Sequence, residues 1–106
     1  MSVLAARREI IIEDDVFIGA GCMIYDNNFH SIDFEKRVLH GGGEDKDIKC
    51  ERVIIRKGAF IGAQCIILKG VEIGEYSVVG AGSVVVKSIP PGEIWAGNPA
   101  KLCKKI

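Results

Sequence analysis

Aliphatic residues recur every six positions along most of this chain. Ile55, Ile61, Ile67, Ile73, Val79 and Val85 fall six apart, and Ile12, Ile18 and Ile24 do the same earlier. Four places after each aliphatic comes a small or modest side chain. These are Val16 and Cys22 in the early block, then Ala59, Cys65, Val71, Ser77 and Ser83. Glycine directly follows several of the aliphatics, at Gly19, Gly62, Gly74 and Gly80. A helix requires spacings of three and four, so residues six apart would drift around its surface. Strand alternation fits only short pieces, such as residues 53–55 and 83–85. A period of six predicts short strands joined by tight corners, three units closing one triangular turn of about 18 residues. Aliphatics of successive turns then stack into a narrow core, and glycine permits sharp turning and close backbone approach.

The two blocks are out of phase, because Ile24 to Ile55 spans 31 residues, one more than five hexads. Residues 34–49 (FEKRVLHGGGEDKDIK) are charged, hold three consecutive glycines and carry no six-residue pattern. They are predicted to form an excursion loop, and long loops on regular scaffolds are often functional. Beyond Val86 the repeat stops. Pro90-Pro91-Gly92 predicts a turn or stiff connection. Residues 100–106 (AKLCKKI) are expected to form a short closing helix docked on the end of the coils. A thin core with flat faces points to an oligomer.

Length changes little in this picture: 106 residues suit a single domain over 1–106. A composition of 48% hydrophobic and 26% charged residues argues against disorder. A net charge of zero gives no general attraction to nucleic acid, so affinity for phosphate must come from a local cluster. No apolar run is long enough to span a membrane, and MSVLAARR lacks the apolar core of a signal peptide, so the expected location is cytoplasmic. Cys22, Cys50, Cys65 and Cys103 form no CxxC pair and only two histidines are present, so no metal site is expected. Cys22 and Cys65 fall on inward positions and read as packing residues, whereas Cys50 and Cys103 receive no role.

Three strings carry a family resemblance: IGAQCIILKGVEIGEYSVVGAGSVVVKSIPPG (residues 61–92), AGNPAKL (96–102) and DNNFHS (26–31). Together they resemble the hexapeptide-repeat acyltransferases, and within these the maltose/galactoside O-acetyltransferase group. The resemblance implies an all-β, left-handed parallel β-helix assembled as a homotrimer. It implies acetyl-CoA in a groove between subunits, with the loop helping to cover the shared site. The implied activity is transfer of acetyl from acetyl-CoA to a hydroxyl of a sugar or saccharide-like acceptor.

Residue by residue, the resemblance makes His30 the catalytic base. Imidazole titrates near neutrality, so it can take the hydroxyl proton and return it to the departing thiolate. Without the resemblance, His30 reads as a surface histidine at a loop entrance, flanked by Asp26 and Asp33, and His40 as a solvated loop residue. Phe60 matches an aromatic position near the CoA arm. Gly62, Ala63, Ala81 and Gly82 match positions where backbone meets pantetheine, with the Ala63 N–H suited to an oxyanion. Lys87, Lys101 and Lys104 match positions serving the CoA phosphates. Trp95 suits either packing under the adenine or docking of the C-terminal segment. Relatives carry an N-terminal segment with acceptor-contacting residues, and this chain begins almost at the coils, so the acceptor side is expected to be incomplete or differently built. Other readings are an acetyltransferase acting on an antibiotic or serine hydroxyl, and a non-catalytic β-helix subunit serving assembly.

Overall fold

The computed structural model describes residues 2–6, 8–27, 34 and 50–106. Three sheets wrap around one axis. The first face stacks β1 (Val3–Ala5), β4 (Met23–Tyr25), β7 (Ile66–Ile67) and β10 (Val84–Val85). The second stacks β2 (Ile10–Ile12), β5 (Val53–Ile55) and β8 (Glu72–Ile73). The third stacks β3 (Phe17–Ile18), β6 (Phe60–Ile61), β9 (Val78–Val79), β11 (Glu93–Gly97) and β12 (Ala100–Lys105). Every pairing between successive coils is parallel.

The register explains the six-residue period. Ile12, Ile55 and Ile73 align on the second face, Ile18, Ile61, Val79 and Trp95 on the third, and Ile24, Ile67 and Val85 on the first. Ile24, Ile55, Ile61, Ile67, Ile73, Val79 and Val85 are buried along the axis. In the two-residue strands the inward residue follows an outward one, so Phe60, Ile66 and Glu72 point away from the core that Ile61, Ile67 and Ile73 fill. The small residues four places on, Ala59, Cys65, Val71, Ser77 and Ser83, complete the same core.

Corners account for the glycines. Directly after an inward aliphatic, the backbone lies against the next coil: a Cβ on Gly74 would meet the Pro91 nitrogen at 2.3 Å, and one on Gly62 the Ala81 nitrogen at 2.6 Å. Further round several of the corners one residue takes positive φ. At the third–first corner these are Gly21, Gln64 and Gly82, at 74°, 58° and 73°.

The phase slip has a simple origin. In the third coil the step from the first to the second face runs from Ile67 to Ile73, six residues. In the second coil the same step runs from Ile24 to Ile55, 31 residues, so 31 − 6 = 25 residues enter at that corner. Twenty-five is four hexads plus one residue. The stem is closed by an antiparallel bridge between Asn27 and Cys50 and by the Glu51 amide donating to the Asp26 carbonyl at 2.8 Å. The predicted loop at 34–49 lies outside the described residues apart from Phe34.

The closing helix predicted for residues 100–106 is not formed. β12 instead folds back antiparallel on β11, from Gly97 opposite Ala100 to Glu93 opposite Lys105, with an irregularity between Ile94 and Trp95. A helix of under two turns is marginal alone, and it would leave the outer edge of β11 unpaired. Pairing with β12 satisfies that edge, and the new edge carries Lys101, Lys104 and Lys105, charges that oppose further strand addition.

An ion-pair ladder crosses three coils. Arg56 donates to Glu13 and to Glu72, both at 3.0 Å. The Arg56 guanidinium, then the Lys57 amide, hold the Glu13 carboxyl below its ordinary 4.5. A depressed carboxylate contributes stability above its unfolded-state value and loses it as pH falls through the folded value. Glu13→Gln is therefore expected to lose a little stability at pH 7, only a little because the ladder is largely solvent-exposed, and by the same amount to flatten the loss on acidification below about pH 4.5, the two proteins converging at low pH. Urea midpoints from pH 3 to 7 test this; parallel curves for the two proteins would remove Glu13 from the acid transition.

Candidate functional site at the third–first corner and the C-terminal end

The third–first corner is a column of small residues. Gly19-Ala20, Gly62-Ala63 and Gly80-Ala81 stack coil on coil, tied by Gly19 donating to the Ile61 carbonyl, Gly62 to Val79 and Gly80 to Trp95, each at 2.8 Å. Inward side chains brace the column from behind. The Cys22 thiol donates to the Gly62 carbonyl at 3.1 Å, Cys65 to Gly80 at 3.1 Å, and Ser83 to Gly80 at 2.6 Å while accepting from the Gly97 amide at 3.0 Å. Burial pushes the Cys65 thiol up, which keeps it a neutral donor. Ala63, Ala81 and Gly82 are exposed, and a Cβ on Gly82 would meet nothing within 4 Å. The corner thus offers a strip of backbone bordered mostly by small side chains, with Gln64 the larger residue on it.

At the C-terminal end a depression of about 250 Å³ lies between the end of β10 and the β11–β12 turn. Val86, Trp95 and Leu102 give it an apolar lining, and Lys87 and Lys101 stand on it. Trp95 is the last member of the inward third-face column, and its ring N–H donates to Glu93 at 2.9 Å. Its ring therefore closes the core from one side and lines the depression from the other.

The predicted donor-binding residues separate into three groups. Gly62, Ala63, Ala81 and Gly82 share the corner, and Lys87 and Lys101 share the depression. Phe60 and Lys104 lie on the outer third face: Phe60 is half exposed beside Phe17, and Lys104 sits opposite Ile94 on β12. Lys104 does not line the depression. His30, like Asp33 and His40, lies outside the described residues; it follows Asn27 by three positions in the chain. Ala20 and Leu102 joined these groups without being singled out from sequence. Ala20 stands at the same step after an aliphatic-Gly pair as Ala63 and Ala81, a signal that was there to be used.

A larger depression of about 440 Å³ on the second face is lined by Arg8, Glu51, Arg52 and Glu72, and by none of the predicted residues that are described. Part of its charge is engaged already, Arg52 with Glu9 at 3.7 Å and Glu72 with Arg56. Among the described residues, no three His, Cys, Asp or Glu side chains are grouped so as to hold a metal ion.

Known proteins share this pattern. The family description "Bacterial transferase hexapeptide (six repeats)" matches residues 52–87, and "Hexapeptide repeat of succinyl-transferase" matches residues 9–30. A galactoside acetyltransferase solved in complex with coenzyme A superposes over 97% of this chain and 49% of its own, at 31% identity and a TM-score of 0.84. The chain belongs to the hexapeptide-repeat acyltransferase family. Its fold is the family's left-handed parallel β-helix. Serine acetyltransferase of Buchnera aphidicola is 42% identical over 97 residues, 92% of this chain and 31% of that protein. The 2,3,4,5-tetrahydropyridine-2,6-dicarboxylate N-acetyltransferase of Clostridium perfringens is 53% identical over 53 residues, 50% of this chain and 22% of that protein. This hexapeptide-repeat chain thus spans less than a third of the length of those two relatives.

Proposed function

We propose that the chain forms the coil domain of a homotrimeric, acetyl-CoA-dependent O-acetyltransferase that acetylates a hydroxyl of a saccharide-like acceptor. The observation carrying this reading is the pairing of Lys87 and Lys101 over the apolar floor made by Trp95 and Leu102. Two ammonium groups beside an aromatic floor suit the phosphates and adenine of a nucleotide. The strip at Ala63, Ala81 and Gly82 suits a slender amide-bearing chain, because the small side chains there let peptide groups approach closely. The structural likeness to a CoA-bound galactoside acetyltransferase supports the same donor.

In the proposed reaction His30 takes the proton of the acceptor hydroxyl as that oxygen attacks the thioester carbonyl carbon. The backbone N–H of Ala63 stabilises the oxyanion, the C–S bond breaks, and His30 returns the proton to the thiolate to give free CoA. The relative named serine acetyltransferase, matching 92% of the chain, favours a second acceptor, the hydroxyl of an amino acid.

Titration calorimetry with acetyl-CoA, followed by thiol release with a panel of saccharides and serine, tests the reading. Lys87→Glu and Lys101→Glu are each expected to weaken acetyl-CoA binding about tenfold, with less effect in high salt. Unchanged affinity in both would remove the depression from the donor site, and no acetyl-CoA binding by the unsubstituted protein would sink the proposal.

A further inference from the structure

Asp26 and Asn27 are buried at the stem where the 25 extra residues enter. One Asp26 carboxylate oxygen accepts from the Arg8 amide at 2.6 Å and from the Glu9 amide; the other accepts from the Asn27 side-chain amide at 3.0 Å. Asn27 also donates to the Ala5 carbonyl at 3.4 Å. The main chain of Asp26 donates to Ala5 at 3.3 Å and accepts from Glu51 at 2.8 Å. Residues 5 and 8–9 therefore meet on the side chains of Asp26 and Asn27, while Cys50 and Glu51 pair with the main chain of the same two residues.

An ordinary first–second corner does not require this. In register, the positions matching Asp26 in the next two coils are Lys69 and Lys87, and neither is buried. At the Lys69 corner a backbone bond from the Gly70 amide to the Glu51 carbonyl, 3.1 Å, ties the turn to the preceding coil. A carboxylate is costly to bury unless its oxygens are bonded, as these are. The polar pair occurs at the turn from which the chain departs toward His30, not at the plain turns.

We propose that Asp26 is a positioning residue, whose carboxylate, locked to the Arg8 and Glu9 amides and to Asn27, sets the direction in which the chain leaves the coils and so the placement of His30. This rests on the reading of His30 as the base. Asp26 touches no reacting atom. It acts by fixing the stem, and small errors of aim in a catalytic group are costly.

Asp26→Asn keeps the shape and removes the match. Its NH2 must face either the two backbone amides, which are donors, or Asn27, which must then turn its own amide and give up the bond to the Ala5 carbonyl. Turnover is expected to fall at least tenfold, on the order expected for misaimed groups. Acetyl-CoA affinity should stay within about twofold, because the corner strip and Lys87 and Lys101 belong to other elements. Asn27→Ala, which leaves the carboxylate on the backbone amides, should give a smaller loss of the same kind. The deciding measurement is Asp26→Asn in the His30→Ala background. If Asp26 works through His30, residual turnover does not fall further. An equal fold-loss in both backgrounds shows a merely structural role and overturns the proposal, as does wild-type turnover of Asp26→Asn beside an inactive His30→Ala. If His30→Ala itself stays active, the base assignment fails and the Asp26 proposal fails with it.

Discussion

Replacing His30 by alanine is expected to lower acetyl transfer by about 10²–10⁴-fold while acetyl-CoA still binds as in the unsubstituted protein. Among the described residues, the proposed donor contacts are divided between the small-residue corner and the C-terminal depression. The substitution removes proton acceptance from the acceptor hydroxyl, an event confined to the transition state. It should therefore lower kcat and kcat/KM together and leave acetyl-CoA affinity intact. His30→Gln, which retains a polar side chain but cannot take the proton near neutrality, should be as inactive as alanine. Single-turnover thiol release with calorimetry in parallel separates the outcomes. Activity preserved in either variant would assign the base elsewhere. Loss of acetyl-CoA affinity in step with turnover would mean that His30 holds the donor rather than the proton.

The coils were legible because their cause is local and repeated. An aliphatic every sixth residue is what a two-residue strand followed by a tight corner requires, and Ile55, Ile61, Ile67, Ile73, Val79 and Val85 are all buried where the period puts them. The C-terminal segment was misread because its cause is not local. Ala, Lys and Leu favour helix in isolation. What decides residues 100–105 is the open edge of β11, which exists only once the last coil has formed. The Asp26 stem was hidden for the same reason: its partners, Arg8 and Glu9, lie 18 and 17 residues away in the chain. At the candidate site, the aliphatic-Gly-Ala strings are the residues that stack at the third–first corner. The grouping of Lys87 with Lys101, and the separation of Lys104 from both, depend on the fold-back of β12, which spacing does not reveal.

Ile61→Ala should cost about 4 kcal/mol of stability, near the upper part of the range for truncating a buried aliphatic. Ile61 is wholly buried, stacked between Ile18 below and Val79 above. Removing its outer carbons leaves a hole in a narrow core. The coils cannot close over that hole, because strand spacing of about 4.8 Å is held by the hydrogen bonds between coils. The adjacent residue supplies the control. Phe60 is larger but lies on the outer surface of the same strand, half exposed, so Phe60→Ala should cost less than about 1 kcal/mol. Urea unfolding at one fixed protomer concentration makes the comparison, since assembly would otherwise shift both midpoints. A Phe60→Ala loss as large as that of Ile61→Ala would mean that the outer third face is itself buried in the assembly. A small loss at Ile61 would mean that the axis of the coils does not hold the fold together, and the stacked columns would no longer explain why the chain repeats every six residues.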